Sequence, residues 1–216
     1  EPVQQGRGRG DTVSRVLVTA MGDTGAFFRG RVPERVSSAG RGTSGGLIQS
    51  GPPPVTRIDF EADSGTMQIS LAIESDGGAV LDRDRNEVEI PDFTGSDILL
   101  STPWFVRARN ALEFRSLVED WDAPPTAARE FRRTDRLLLR FETYVPGTAT
   151  PDIKARLLNR GGDPMYPLDL QLAANGAPHQ VDIVPVSLPP GEYVIELTAT
   201  AAGSEATDLI AFRLTT

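Results

Sequence analysis

The sequence predicts an all-β fold, and three observations carry that expectation. The first is the stretch 188–214. Pro189, Pro190 and Gly191 set a turn there, because proline fixes φ and glycine supplies positive φ. In the run that follows, Tyr193, Ile195, Leu197 and Ala199 share one face and Val194, Glu196, Thr198 and Thr200 the other, as in a strand with one buried side. Ala202-Gly203-Ser204 then turns the chain back toward Leu214. The second observation is the alternation of 55–63 and 66–75, which places Ile58, Phe60, Met67, Ile69, Leu71 and Ile73 inward. The third is composition: 21 Gly, 17 Pro and 39% hydrophobic residues suit many short strands joined by turns. A closing hairpin with a tyrosine at the start of its first strand further suggests an immunoglobulin-like sandwich, where such a residue bonds back across the corner. Gly191 and Tyr193 fill that corner.

With 216 residues the chain can form one large or two small domains. We expect two tandem immunoglobulin-like β-sandwich domains behind an extended N-terminal segment. Residues 1–20 are that segment and a candidate donor strand; 21–110 form the first sandwich, with a long Gly/Pro-rich loop at 33–54. Residues 111–133 are the junction, and 134–216 the second sandwich.

Taken in order, 1–12 are polar and glycine-rich, a composition that something else has to hold in place. Strand addition to a neighbouring subunit's open sheet edge is one way. The Arg9-Gly10-Asp11 tripeptide within it matches a short integrin-binding motif, a pattern common by chance. Residues 13–20 are β-branched and apolar, so Val13, Val16, Leu17 and Val18 make a candidate assembly strand. Gly22 to Gly25 turn into 26–32, where Phe27 and Phe28 should face opposite sides. Asp63-Ser64-Gly65 should join 55–63 to 66–75 as a tight hairpin. Asp76-Gly77-Gly78 turns into strands at 79–84 and 86–90. Strands follow at 96–101 and 104–109; 110–120 suits helix or strand, and Trp121 to Pro125 reads as loop. The second domain opens at 137–145 and continues through 153–159, 168–173, 179–184 and the closing hairpin. Ser75 to Leu81 and Asn159 to Met165 echo one another, S-D-G-G-A-V-L against N-R-G-G-D-P-M, as two related modules would.

The formal charge of −8 argues against a nucleic-acid binder, which needs a basic face. No cysteine occurs, which excludes thiol catalysis, disulfides and thiolate metal sites. One lysine, Lys154, stands against 21 arginines, which leaves little for Schiff-base chemistry and supplies planar donors for carboxylates. No apolar run reaches the length of a membrane-spanning helix. The numbering starts at Glu1 without Met, so a processed or trimmed product is expected.

Candidate chemistry is sparse. The single histidine, His179, has no G-x-S-x-G elbow to serve and reads as the polar start of a strand. Asp82, Asp84 and Asn86 begin like a calcium loop, but Glu87 stands where the loop needs glycine and Phe93 where it needs glutamate. Asp59 with Glu61, and Glu119 with Asp120 and Asp122, are carboxylate groupings of the kind glycosidases use across a cleft; solvated strand faces account for them as well. Loop 33–54 lacks the G-x-x-x-x-G-K phosphate cradle. Trp104, Phe105, Phe114 and Trp121 form either a binding groove or packing at the junction.

Several runs together resemble a known group: I-D-F-E-A-D-S-G-T-M-Q-I-S-L-A-I-E, V-E-I-P-D-F, R-A-R-N-A-L-E-F-R, A-A-R-E-F-R-R-T-D-R-L-L-L-R-F, P-P-G-E-Y-V-I-E-L-T and D-L-I-A-F-R-L. Over 55–216 they resemble the C-terminal β-rich region of VWFA-related (von Willebrand A domain-containing) secreted proteins of Acidobacteria and similar soil bacteria. The metal-dependent adhesion motif D-x-S-x-S of that family does not occur in this chain, so metal-dependent ligand binding does not carry over. The resemblance implies an exported or surface-tethered protein whose β modules mediate association, with no catalytic residues or cofactor to transfer. The expected function is a non-catalytic structural subunit of an extracellular fibre or surface layer, polymerising by strand addition. The alternatives are an adhesion or protein- or glycan-binding module and, third, a carboxylate-dependent hydrolase.

Overall fold

A computed structural model describes residues 13–32, 58–172 and 178–216. The candidate donor tail 1–12, with Arg9-Gly10-Asp11, and the loop 33–54 lie outside these residues. The chain is all-β and divides into two compact units, Glu1–Asp92 and Phe93–Thr216.

In unit 1, β1 (Val13–Gly22), β2 (Gly25–Val32), β3 (Gly65–Ser75) and β4 (Val80–Ile90) form one antiparallel sheet in the order β2-β1-β3-β4. Among the described residues this is a single layer, not the sandwich expected for 21–110. The expected hairpin between 55–63 and 66–75 does not form, because β1 and β4 already occupy both edges of β3. Described residues 58–63 carry no strand, and Phe60 there stacks on Phe28 at 5.3 Å. The segments expected at 79–84 and 86–90 are one continuous strand, β4.

Register fixes the apolar face of this sheet. Val16, Val18 and Ala20 of β1 stand opposite Ile73, Leu71 and Ile69 of β3, and Met67 pairs with Val88 of β4. A bulge at Ala20/Met21 leaves Phe27 as the extra residue of β2. That shift corrects the expectation that Phe27 and Phe28 face opposite sides. The Phe27 ring lies against Gly22 and the Phe28 ring against Gly30, where an added Cβ would meet either ring at 2.4 Å. On the other face, Arg15 Nε and Arg31 Nε donate to Glu74 Oε2 at 2.6 and 3.2 Å. These bonds hold the buried Glu74 carboxyl below its ordinary value.

Unit 2 contains β5 (Leu99–Leu100), β6 (Trp104–Ala108), α1 (Ala111–Glu119), β7 (Glu130–Arg132), β8 (Arg136–Phe141), β9 (Thr143–Tyr144), β10 (Asp152–Asn159), β11 (Pro164–Pro167), β12 (Asp169–Gln171), β13 (His179–Ile183), β14 (Gly191–Ala201) and β15 (Ser204–Thr215). One sheet runs β11-β10-β14-β15-β7 and another β12-β13-β8-β6; β5 and β9 pair separately. The two large sheets share one core. Phe105, Leu137, Leu139, Phe141, Val181 and Ile183 from one meet Leu157, Ile195, Leu197, Ile210 and Phe212 from the other, a sandwich-like packing of inward-facing side chains.

The boundary between units therefore falls at 92/93, and the stretch expected as a junction is part of unit 2. Strand β6 pairs antiparallel with β8, and β7 pairs parallel with β15. Between them, Asn110 Oδ1 accepts from Glu113 N at 2.9 Å and Glu113 Oε2 accepts from Arg109 N at 2.7 Å. This reciprocal cap settles 110–120 as helix.

The echo between 75–81 and 159–165 has a local cause. Gly78 N donates to Ser75 O and Ser75 N to Ala79 O; likewise Gly162 N donates to Asn159 O and Asn159 N to Asp163 O. Gly78 and Gly162 have φ of 84° and 87°. Both are the same glycine-closed hairpin turn, in sheets of different order.

Candidate interaction surfaces

Strand β1 holds the candidate assembly residues Val13, Val16, Leu17 and Val18, and it is an interior strand. Its backbone pairs with β2 on one side and β3 on the other. With both edges engaged in its own sheet, 13–20 has no free backbone edge to offer a neighbour.

Two stretches of open strand edge are guarded. On β4, Arg83 N and Arg85 N donate to Asp82 Oδ1 and Asp84 Oδ1 of the preceding residues, each at 2.8 Å. Asn86 Nδ2 donates to Asp84 Oδ2. The D-x-D-x-N residues thus lie along an extended strand with oxygens turned to its own amides. Among the described residues no group of three or more His, Cys, Asp or Glu side chains is placed to hold a metal ion. The same device recurs on β15. Arg213 N donates to Arg129 O on the side away from β14. By the two-residue period, Leu209 N faces that side too, and it donates to Asp208 Oδ1 at 2.8 Å. Carboxylates set against outward amides block the approach of a further strand.

The four aromatics separate. Phe105 is fully buried in the main core. Trp104 and Phe114 pack with Leu117 and Val118 against Val106, Ala123 and Leu138, where α1 docks on the outside of β6 and β8. Trp121 is 42% exposed and stacks over the Arg140 guanidinium at 4.7 Å. They form packing and a latch, not one groove.

Arg140 is the residue that the pattern of strands did not single out. It is fully buried and donates Nε to Gln180 Oε1 at 2.9 Å, Nη1 to Asp120 O at 2.8 Å and Nη2 to Leu117 O. The helix has no basic residue in its last turn, so Arg140 supplies from β8 the positive charge that its C-terminal carbonyls favour. Burial pushes the guanidinium below its ordinary value, and Asp120 offsets part of that. Beside it, Arg136 stacks on Phe114 at 4.2 Å and pairs with Asp182 at 2.6 Å. An arginine inside the run L-L-L-R-F was the available signal.

His179 begins β13, nearly buried; its Nε2 lies 2.9 Å from Thr143 Oγ1 and its ring 5.3 Å from that of Phe141. Burial lowers its pKa. Asp120 Oδ1 accepts from Asp122 N at 3.1 Å, so that grouping closes a local turn. At the corner, Tyr193 Oη donates to Pro189 O at 2.8 Å. The outer face beside this corner carries two adjoining grooves of about 490 and 320 Å3 that share Arg160, Glu192, Tyr193 and Arg213. The excess of arginine over lysine was noted in the sequence, but nothing local showed that these would converge. Among the described residues no helix is long and apolar enough to cross a membrane. Comparison of the chain with protein-family models and with curated proteins finds no match.

Proposed function

We propose that the protein is a non-catalytic, exported structural subunit that associates with further copies of itself through the sheet of unit 1, with unit 2 as an immunoglobulin-like body. The observation that carries the reading is the apolar face of that sheet. Of the residues from Val16 to Ala20 and Met67 to Ile73 on that face, only Ala20 and Met67 are buried, while Val16, Val18, Ile69, Leu71 and Ile73 are half-buried, as is Phe28 of β2. A sheet with one apolar side gains by covering it. The guarded edge of β4 favours contact through the face over contact through that edge. Export rests on the resemblance of 55–216 to secreted VWFA-related proteins. The immunoglobulin-like reading rests on the order β6-β8-β13-β12 against β7-β15-β14-β10-β11 and on the Tyr193 corner.

Light scattering with negative-stain imaging across a concentration series tests the proposal. Regular oligomers or filaments are expected, with Leu71→Asp reduced to a folded monomer. Truncation of 1–12 leaves association intact on this reading, whereas a donor-strand contact would be lost. A wild-type protein that stays monomeric at high concentration refutes it. The binding-module reading is favoured by a separate observation, the arginine-lined grooves of unit 2.

A further inference from the structure

We propose that Arg160 and Arg213 on the outer face of the β10-β14-β15 sheet, with Arg129 at its β15 edge, form a binding site for an acidic polysaccharide. Arg213 of β15 stands opposite Glu192 of β14, Arg160 follows the end of β10, and Arg129 is held beside β15 by the bond from Arg213 N to its carbonyl. Arg160 Nε lies 3.2 Å from Glu192 Oε2. Among the described residues, Arg129 and Arg213 make no ion pair, although Glu130 is the Cα partner of Arg213 on β7. Three arginines line the two grooves with Glu192 as the acidic residue of the lining, in a chain whose net charge is −8. Arg129 is further oriented by stacking at 5.1 Å over the ring of Phe105.

The chemistry points to oxyanions on a sugar chain. A guanidinium is a planar fork that matches carboxylate or sulfate oxygens two at a time. Two adjoining grooves place these forks along an extended ligand instead of around one small ion. The lining also includes Met165, 43% exposed, with Pro189, an apolar surface suited to the C–H face of a sugar ring. The face lies across paired strands, with β14 engaged by β10 and β15 along its length. An extended peptide therefore finds no free backbone edge there, and recognition falls to side chains.

Titration calorimetry on the full chain tests the site with three probes: oligogalacturonate, which offers carboxylates; a heparin-derived oligosaccharide, which offers sulfates; and poly-L-glutamate. Saturable binding of at least one of the two glycans is expected, weakened by added salt. It should fall by about tenfold or more in Arg129→Ala/Arg213→Ala and be unchanged in Arg109→Ala. The glycan that binds more tightly identifies the oxyanion. The Leu71→Asp variant should bind as wild type does, so this result stands apart from self-association. No binding of either glycan, equal binding by the double variant, or equally tight binding of poly-L-glutamate overturns the proposal.

Discussion

Replacing Arg140 tests whether a buried cation latches α1 to the sandwich. In Arg140→Ala three acceptors lose their donor: Gln180 Oε1, Asp120 O and Leu117 O. A buried acceptor left unpaired costs about 1–3 kcal/mol. Two of these sit at a helix end, where water can enter and restore part of the loss. Removing the side chain also opens a cavity, since Arg140 is fully buried. Together these set the expected destabilisation at about 3–5 kcal/mol, a large share of the ~5–15 kcal/mol that domains commonly have. Arg140→Met keeps most of the stem and loses only the polar contacts, so about 2–3 kcal/mol is expected. The assay is urea unfolding followed by tryptophan fluorescence. Both tryptophans, Trp104 and Trp121, belong to unit 2, so unit 1 does not contribute. With a urea slope of about 1–3 kcal/mol per molar, the alanine variant should lower the midpoint by roughly 2 M. A loss below about 1 kcal/mol for alanine refutes the latch, because it would mean that the carbonyls of Leu117 and Asp120 are satisfied equally well by water.

Three further outcomes follow from the same contacts. Tyr193→Phe removes the bond to Pro189 O and should cost about 1 kcal/mol in the same urea experiment; an unchanged midpoint would deny the corner a stabilising role. Burial holds His179 below its ordinary value of 6.5, so the unfolded chain takes up the proton first. The stability of unit 2 should be complete above about pH 6.5 and decline as pH falls toward the folded value; equal urea midpoints at pH about 7.5 and 5.5 would contradict this. Glu74 is lowered from 4.5 mainly by hydrogen bonds from Arg15 and then Arg31. Its contribution is present above that pH and lost as pH falls through the folded value. Amide exchange in β1 and β3 should therefore quicken in that range, and Glu74→Gln should remove the dependence; an identical profile in the variant would count against the ion-pair network.

The closing hairpin was legible because its causes lie within a few residues, whereas the pairing expected between 55–63 and 66–75 was displaced by β1 and β4. Tyr193, Ile195, Leu197 and Ala199 are all buried, as their alternation required, and the return strand buries Ile210, Phe212 and Leu214. The turns at Gly78 and Gly162 follow from residues that admit positive φ, which is also why two unrelated hairpins look like a repeat. The strand at 13–20 was legible as a strand, but its place was not. Alternation does not say whether one edge or two will be paired, and β1 proved to be the interior strand of its sheet.

The candidate sites show the same division. The D-x-D-x-N spacing is visible in the chain; that Asp82 and Asp84 guard the edge of β4 depends on which strand stands last. Trp104, Phe105, Phe114 and Trp121 are near in sequence, yet neighbouring residues of β6 face opposite sides, which sends Phe105 to the core and leaves Trp104 under α1.

By itself the sequence determined the all-β character, the closing hairpin, the turn chemistry and the exclusion of thiol chemistry. These depend on side-chain period, on φ preference and on composition. Tertiary structure alone decided the boundary at 92/93, the parallel pairing of β7 with β15, the capping of α1 by Arg140 and the adjoining grooves that Arg129, Arg160 and Arg213 line. Each of these joins residues far apart in the chain. Which partners meet is set by how whole sheets pack and exclude water, a property that no local window contains.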